Sequence, residues 1–190
     1  MRKLASLALL ALLPSVGFGA AEYYRIDPAH TFPHFAIDHM NFSTLYGRFD
    51  QTSGRLIIDW ENKNGTVDLK IAAVSITTGH NKRDKHLRSP DFLNVTEYPN
   101  ILYRSNNIEF TSETTATVDG DLTILGVSKP VQLMVNRYRC GENPINKKQT
   151  CGFEATAEIK RSDFGSVYGS PGIGNKMKLW FEVEAIKENF

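Results

Sequence analysis

From residue 22 onward, apolar and polar side chains mostly alternate one for one. That period of two marks strands with one buried face. Phe153, Ala155, Ala157 and Ile159 point one way, and Glu154, Thr156, Glu158 and Lys160 the other. Met177, Leu179, Phe181, Val183 and Ala185 alternate in the same manner. So do Val131, Leu133 and Val135, then Val67, Leu69 and Ile71, and Phe35 with Ile37. Further extended segments are read at 45–59, 100–110 and 116–125. Asn64-Gly65, Tyr98-Pro99-Asn100, Gly126 and Ser170-Pro171-Gly172 punctuate them as turns. The count is about eight strands.

One segment breaks the alternation. Residues 80–89, HNKRDKHLRS, read as a helix in which Asp84 meets Arg88 one turn on. Ser89 and Pro90 then predict a second short helix, with Ser89 as cap and Pro90 in its first turn. Strands with one apolar face each must either close into a barrel or pair face to face as a sandwich. Alternation alone does not separate the two.

The first 21 residues have a different texture. Arg2 and Lys3 precede an apolar stretch at 4–13, followed by Pro14, Gly17 and the small residues Gly19, Ala20 and Ala21. This is the layout of a secretory signal peptide, with cleavage expected after Ala21. The mature domain would be 22–190, in the periplasm or secreted. No stretch of 18 apolar residues exists to span a bilayer. Lys plus Arg number 22 and Asp plus Glu 21, so no global charge draws the chain to nucleic acid. The two cysteines, Cys140 and Cys151, enclose a polar stretch and are expected to pair in an exported protein.

The order of five blocks is specific. YYRIDPAHTFPHFAIDH and YGRFDQTSGRL are followed by HNKRDKHLRSPDFLN with EYPNI, then GDLTILGVSKPV, then AEIKRSDFG. Together they closely resemble the YceI family of exported bacterial proteins, over essentially all of 22–188. The resemblance implies an all-β fold: a single antiparallel, eight-stranded, lipocalin-like barrel with a short helical insertion near 80–94. It also implies an apolar channel that holds a polyisoprenoid or another long-chain amphiphile, an isoprenoid quinone among the candidates, with no cofactor and no catalysis.

On that reading the apolar faces supply a channel lined by Phe35, Ile37, Phe49, Leu69, Ile71, Phe92, Phe153, Phe164 and Phe181. His39, at a strand end, and Arg83 and Arg88, in the basic cluster with Lys82 and Lys85, are candidates for a ligand head group. The competing reading of Arg88 is structural, as a partner of Asp84 or Asp91. His30, His34 and His39 do not share one strand face, which speaks against a metal site. The Gly-rich run 169–174 is read as a flexible loop able to cover one barrel end. Two other functions stay open: an enzyme using His39 with an acidic partner, and a solidly packed barrel that binds another protein. A homodimer and transient contact with inner-membrane proteins are kept as partners.

Overall fold

A computed structural model describes residues 21–188, leaving aside the side chain of Asn106. The leader expected at 1–21 lies, but for Ala21, outside the described residues. Eleven strand segments follow in chain order: β1 (Glu22–Ile26), β2 (Phe32–His39), β3 (Ser43–Phe49), β4 (Thr52–Asp59), β5 (Asn64–Ala72) and β6 (Ile76–Thr77), then β7 (Asn100–Phe110), β8 (Ala116–Ile124), β9 (Val127–Glu142), β10 (Gln149–Lys160) and β11 (Ile173–Lys187). Three short breaks account for the number. β1 and β2, β3 and β4, and β5 and β6 are each one long strand interrupted by a few residues, so eight long strands remain.

Every neighbouring pair is antiparallel, in the order of an up-and-down meander. The sheet closes because β11 pairs on its free side with both pieces of the first strand: Ala185 opposite Ile26 in β1, and Leu179 opposite Phe35 in β2. A sheet closed on itself leaves no open edge, and its alternate side chains point inward. The barrel is thus the one the resemblance implied, and the sandwich is excluded by the single continuous sheet.

Antiparallel neighbours put successive connections at opposite ends. The chain termini, the β4–β5 and β7–β8 turns and the β9–β10 hairpin share one end. The β2–β3 turn, the β6–β7 crossover, the β8–β9 turn and the β10–β11 connection share the other.

The first end is sealed. Trp60 packs on Phe110 (5.3 Å between centroids) and on Tyr138 (5.8 Å), and Tyr138 continues to Phe153 (6.1 Å). Below this plug, Ile58, Leu69, Val118, Leu133 and Ala155 pack closely and leave a void of only about 50 Å³. The Trp60 Nε1–H donates to Glu22 Oε2 and Tyr24 Oη, each at 3.1 Å. Burial, and the Tyr24 hydroxyl's own hydrogen bond to Glu22, push the Tyr24 phenol up to about 12. Burial alone would raise the Glu22 carboxyl; hydrogen bonds from Lys187 and Tyr24 outweigh it and hold that carboxyl below its ordinary value. At the same end Cys140 and Cys151 sit directly opposite in the β9–β10 hairpin and form a disulfide, Cα atoms 4.0 Å apart. Cys151 is fully buried.

The crossover meets expectation in its first helix and departs from it in the second. One helix, α1 (Asn81–Leu87), forms, capped by His80, whose ring accepts from the Arg83 N–H. Ser89 and Pro90 start no second helix. Asn94, with φ 42°, turns its N–H back to the Ser89 carbonyl, and the Leu93 N–H bonds Leu87 O, so 88–97 is a chain of turns. These bonds bring Leu87, Leu93 and Val95 down onto the barrel core, a tertiary gain that overrides the local helix signal.

Candidate functional site

The unsealed half of the barrel holds a cavity of about 530 Å³. Its wall comes from inward positions of several strands: Phe35, Ile37 and His39 of β2, Ile71 of β5, Ile159 of β10, and Met177, Leu179 and Phe181 of β11. The crossover roofs it with Leu87, Phe92 and Leu93, and the β10–β11 connection adds Phe164, Tyr168 and Gly169. Most polar groups on the wall gather at this end, namely His39, Arg83, His86, Arg161 and Ser166, with His34 the exception farther along β2.

The charge in the crossover is largely structural. Asp84 is buried and accepts from the Thr78 N–H (2.9 Å) and the Thr78 hydroxyl (2.5 Å). Arg83 donates to Thr78 Oγ1 (2.7 Å) and Thr78 O (2.8 Å), and it also borders the cavity. Arg88 does not line the cavity. Its guanidinium donates to Val74 O and Ile76 O, both at 2.7 Å, and so ties the end of α1 to the break between β5 and β6. Neither expected partner of Arg88 takes the role: Asp84 is held by Thr78, and Asp91 by His86 at 2.8 Å. A head-group role for Arg88 is thereby corrected. Two neighbouring carbonyls, one in the break and one at the start of β6, are better partners for a fixed fork of donors.

Arg161 went unrecognised in the sequence, where an Arg closing a strand reads as a solvated charge. It is only 6% exposed. It begins a single 3₁₀ turn, Arg161–Phe164, and donates to Gly174 O (2.8 Å), Ser166 O (2.9 Å) and Ile173 O (3.0 Å). Burial lowers its pKa. These bonds fix both flanks of the Gly-rich connection. Further bonds join Ile173 N–H to Gly169 O and Met40 N–H to Gly172 O. The segment read as a flexible loop is therefore pinned at its flanks. It meets the crossover in an aromatic clasp, with the rings of His86, Phe92 and Tyr168 5.0–5.4 Å apart in edge contacts.

Of the expected lining residues, Phe35, Ile37, Phe49, Ile71, Phe92, Phe164 and Phe181 border the large cavity. Leu69 and Phe153 face inward but border the small void in the sealed half, and Phe181 stands between the two. Alternation gives the face of a strand, not depth along the barrel. The histidines differ in their partners: His39 and His34 both border the cavity, and His34 also bonds Glu182 (2.8 Å) and stacks on Trp180 (5.1 Å). His30 lies in the β1–β2 break with Nδ1 2.9 Å from Asp27 Oδ2 and 4.0 Å from Glu184. The Asp27 hydrogen bond and charge raise the His30 pKa, and the same bond lowers that of Asp27. Among the described residues these three form the one grouping of metal-ligand type, on the outer surface and away from the cavity.

The comparisons agree with this architecture. Residues 24–185 match the family model of the YceI-like domain. A UPF0312 protein of Pseudomonas aeruginosa (strain LESB58) is 35% identical over 190 residues, 98% of each chain. Protein YceI of Shigella flexneri is likewise 35% identical, with the same coverage. Among solved structures, Burkholderia cenocepacia BcnA superposes with a TM-score of 0.73 at 21% identity, over 84% of this chain and 98% of that one. The Campylobacter jejuni YceI protein gives 0.67 at 26%, over 80% and 90%. A polyisoprenoid binding domain from Saccharophagus degradans, implicated in plant cell wall breakdown, gives 0.60 at 16%, over 87% and 98%. With the family model spanning nearly all of the barrel and full-length relatives at this identity, the chain belongs to the YceI family.

Proposed function

We propose that this protein binds and carries a long-chain amphiphile of the polyisoprenoid class, tail inward and head at the open end. The observation that carries the reading is the half-filled barrel: about 530 Å³ of cavity with an apolar wall, open at one end and plugged at the other. That volume falls within the range of small-molecule sites, about 300–1,000 Å³. A greasy chain gains about 0.8 kcal/mol for each methylene withdrawn from water. Binding of a polyisoprenoid by the structurally similar Saccharophagus degradans domain supports the same ligand class. The mouth groups, His39, Arg83 and Arg161, would face the head group; an isoprenoid quinone belongs to this class, and a fatty amphiphile is the alternative long-chain ligand for the same cavity. The apolar wall, with most polar groups gathered at one end, favours binding over catalysis by His39. With the leader at 1–21 removed after Ala21, the barrel would work in the periplasm, where transient contact with inner-membrane proteins would load or unload it.

Organic extraction of the purified protein, followed by lipid mass spectrometry, tests the proposal. One long-chain amphiphile per barrel is expected. Protein that carries none, and takes up none when offered prenol, prenyl phosphate or fatty acid, would reject it.

A further inference from the structure

The open end carries an exposed apolar rim that the cavity does not use. Phe42, in the β2–β3 turn, is 88% exposed. Val167, in the β10–β11 connection, is 61% exposed. Beside them stand Met40 and Tyr168, which border the cavity and are themselves about half exposed. The two loops are joined, since the Met40 N–H donates to Gly172 O at 2.7 Å. Large apolar groups gathered at the mouth of a closed barrel are unfavourable in water, and burial elsewhere would relieve that cost.

The charge around this rim is mixed at the roots of the two loops, where Asp38 and Asp163 are exposed and Asp38 accepts from the Asn41 N–H, and is positive on the face of α1. The 40–42 turn and the 165–172 segment contain no charged side chain. On α1, Lys82 and Lys85 are exposed, while the neighbouring Asp84 is buried against Thr78. Asp91 is engaged by His86. Apolar side chains flanked by exposed lysines match an anionic bilayer surface, where the rings enter the interface and the ammonium groups meet lipid phosphates. At the opposite end, among the described residues, Ile145 is 91% exposed in the β9–β10 hairpin, with no second exposed apolar residue beside it on that turn.

The geometry points to the open end as a docking surface for an anionic lipid bilayer, with Phe42 and Val167 entering the interface and Lys82 and Lys85 contacting head groups. Docked so, the cavity mouth faces the membrane, and a hydrophobic tail passes between bilayer and barrel without crossing water. The proposal stands apart from the carrier reading, because vesicle binding is measured without reference to the lipid inside the barrel.

The experiment is co-flotation of the mature protein with large unilamellar vesicles, phosphatidylglycerol–phosphatidylethanolamine against pure phosphatidylcholine. The wild type should bind the anionic vesicles more tightly and lose that preference in high salt. Phe42→Ser/Val167→Ser should bind roughly tenfold more weakly, since two apolar groups no longer leave water. Lys82→Glu/Lys85→Glu should lose the anionic preference. Ile145→Ser should bind as the wild type does. All substituted positions are exposed and off the cavity wall, so melting temperature and extractable lipid should not change. Wild-type protein that ignores anionic vesicles would overturn the proposal, as would a Phe42→Ser/Val167→Ser variant that binds unchanged, or an equal loss in Ile145→Ser. A wild-type dimer that this double substitution makes monomeric, with no vesicle binding in either, would assign the rim to a second copy instead.

Discussion

The ring of Phe35 lies across Gly47, its cross-strand partner, so closely that a Cβ at position 47 would sit 2.4 Å from Phe35 Cζ. The glycine thus sets where a buried aromatic ring stands on the cavity wall. Gly47→Ala should force that ring to move, and the open volume lies in the cavity. Overpacking of this kind costs about 1–3 kcal/mol. A lower melting temperature together with less extractable lipid per protein is the expected result. An unchanged lipid content would mean that the ring moves elsewhere.

Two inward positions four residues apart on β10 test the division of the barrel into a filled and an open half. Ala155 borders the void of about 50 Å³, and Ile159 borders the cavity of about 530 Å³. Ala155→Phe has nowhere to put a ring and should lower stability by about 1–3 kcal/mol. Ile159→Phe can place its extra atoms in the cavity, so stability should fall little while bound lipid declines. Paired thermal melts and lipid extraction check both. Two variants that melt alike and carry equal lipid would contradict the division.

These cases show where the sequence is legible. In β10 and β11 the alternation from Phe153 to Ile159 and from Met177 to Ala185 specifies which side chains face inward, because a one-residue slip would turn the whole face outward. The eight long strands follow from that pattern. The breaks after β1, β3 and β5 do not, since a short kink leaves the period of two nearly intact. Depth along the barrel is equally silent: Leu69 and Ile71 are both inward, yet only Ile71 borders the large cavity. Arg161 was hidden for a different reason. Its acceptors, Ile173 O and Gly174 O, lie 12 and 13 residues later in the chain, and a lone Arg carries no sign of them.

The disulfide contributes stability at the sealed end and should be irrelevant to the ligand. Cys140 and Cys151 close a loop with a separation of 11 residues. Closing a loop of that order stabilises by roughly 3 kcal/mol in the chain-entropy estimate. Cys140→Ser/Cys151→Ala, which keeps the buried position apolar, should lower the melting temperature and leave extracted lipid unchanged. Thiol titration of the wild type should find no free thiol.

His30 should respond to pH in a defined direction. Its folded pKa is raised by the hydrogen bond and charge of Asp27. A raised folded pKa means that the stabilisation is fully present below the unfolded value, about 6.5, and is lost as pH rises through the folded value. The effect on melting is small, because the His30 side chain is 62% exposed. NMR titration should place the His30 midpoint above that of an unperturbed histidine, and Asp27→Asn should bring it back down. A midpoint indifferent to Asp27→Asn would remove the pair as the cause.

Arg161 supports the edge of the mouth from beneath, and its loss should be felt at that end alone. The guanidinium serves three carbonyls, of Ser166, Ile173 and Gly174. Arg161→Met keeps much of the volume but leaves those acceptors without their donor, at a cost of about 1–3 kcal/mol for each group that stays buried and unsatisfied. Arg161→Lys restores the charge without the planar fork, so it should recover only part of the loss. Hydrogen exchange gives the local readout. The Ile173 N–H, bonded to Gly169 O, should exchange faster in Arg161→Met, while amides around Cys140 and Cys151 at the sealed end keep their protection. Faster exchange at both ends would mean that Arg161 holds the whole barrel together and not the mouth in particular. Exchange unchanged at Ile173 would mean that the connection is fixed by the Met40–Gly172 bond and the aromatic clasp without help from Arg161.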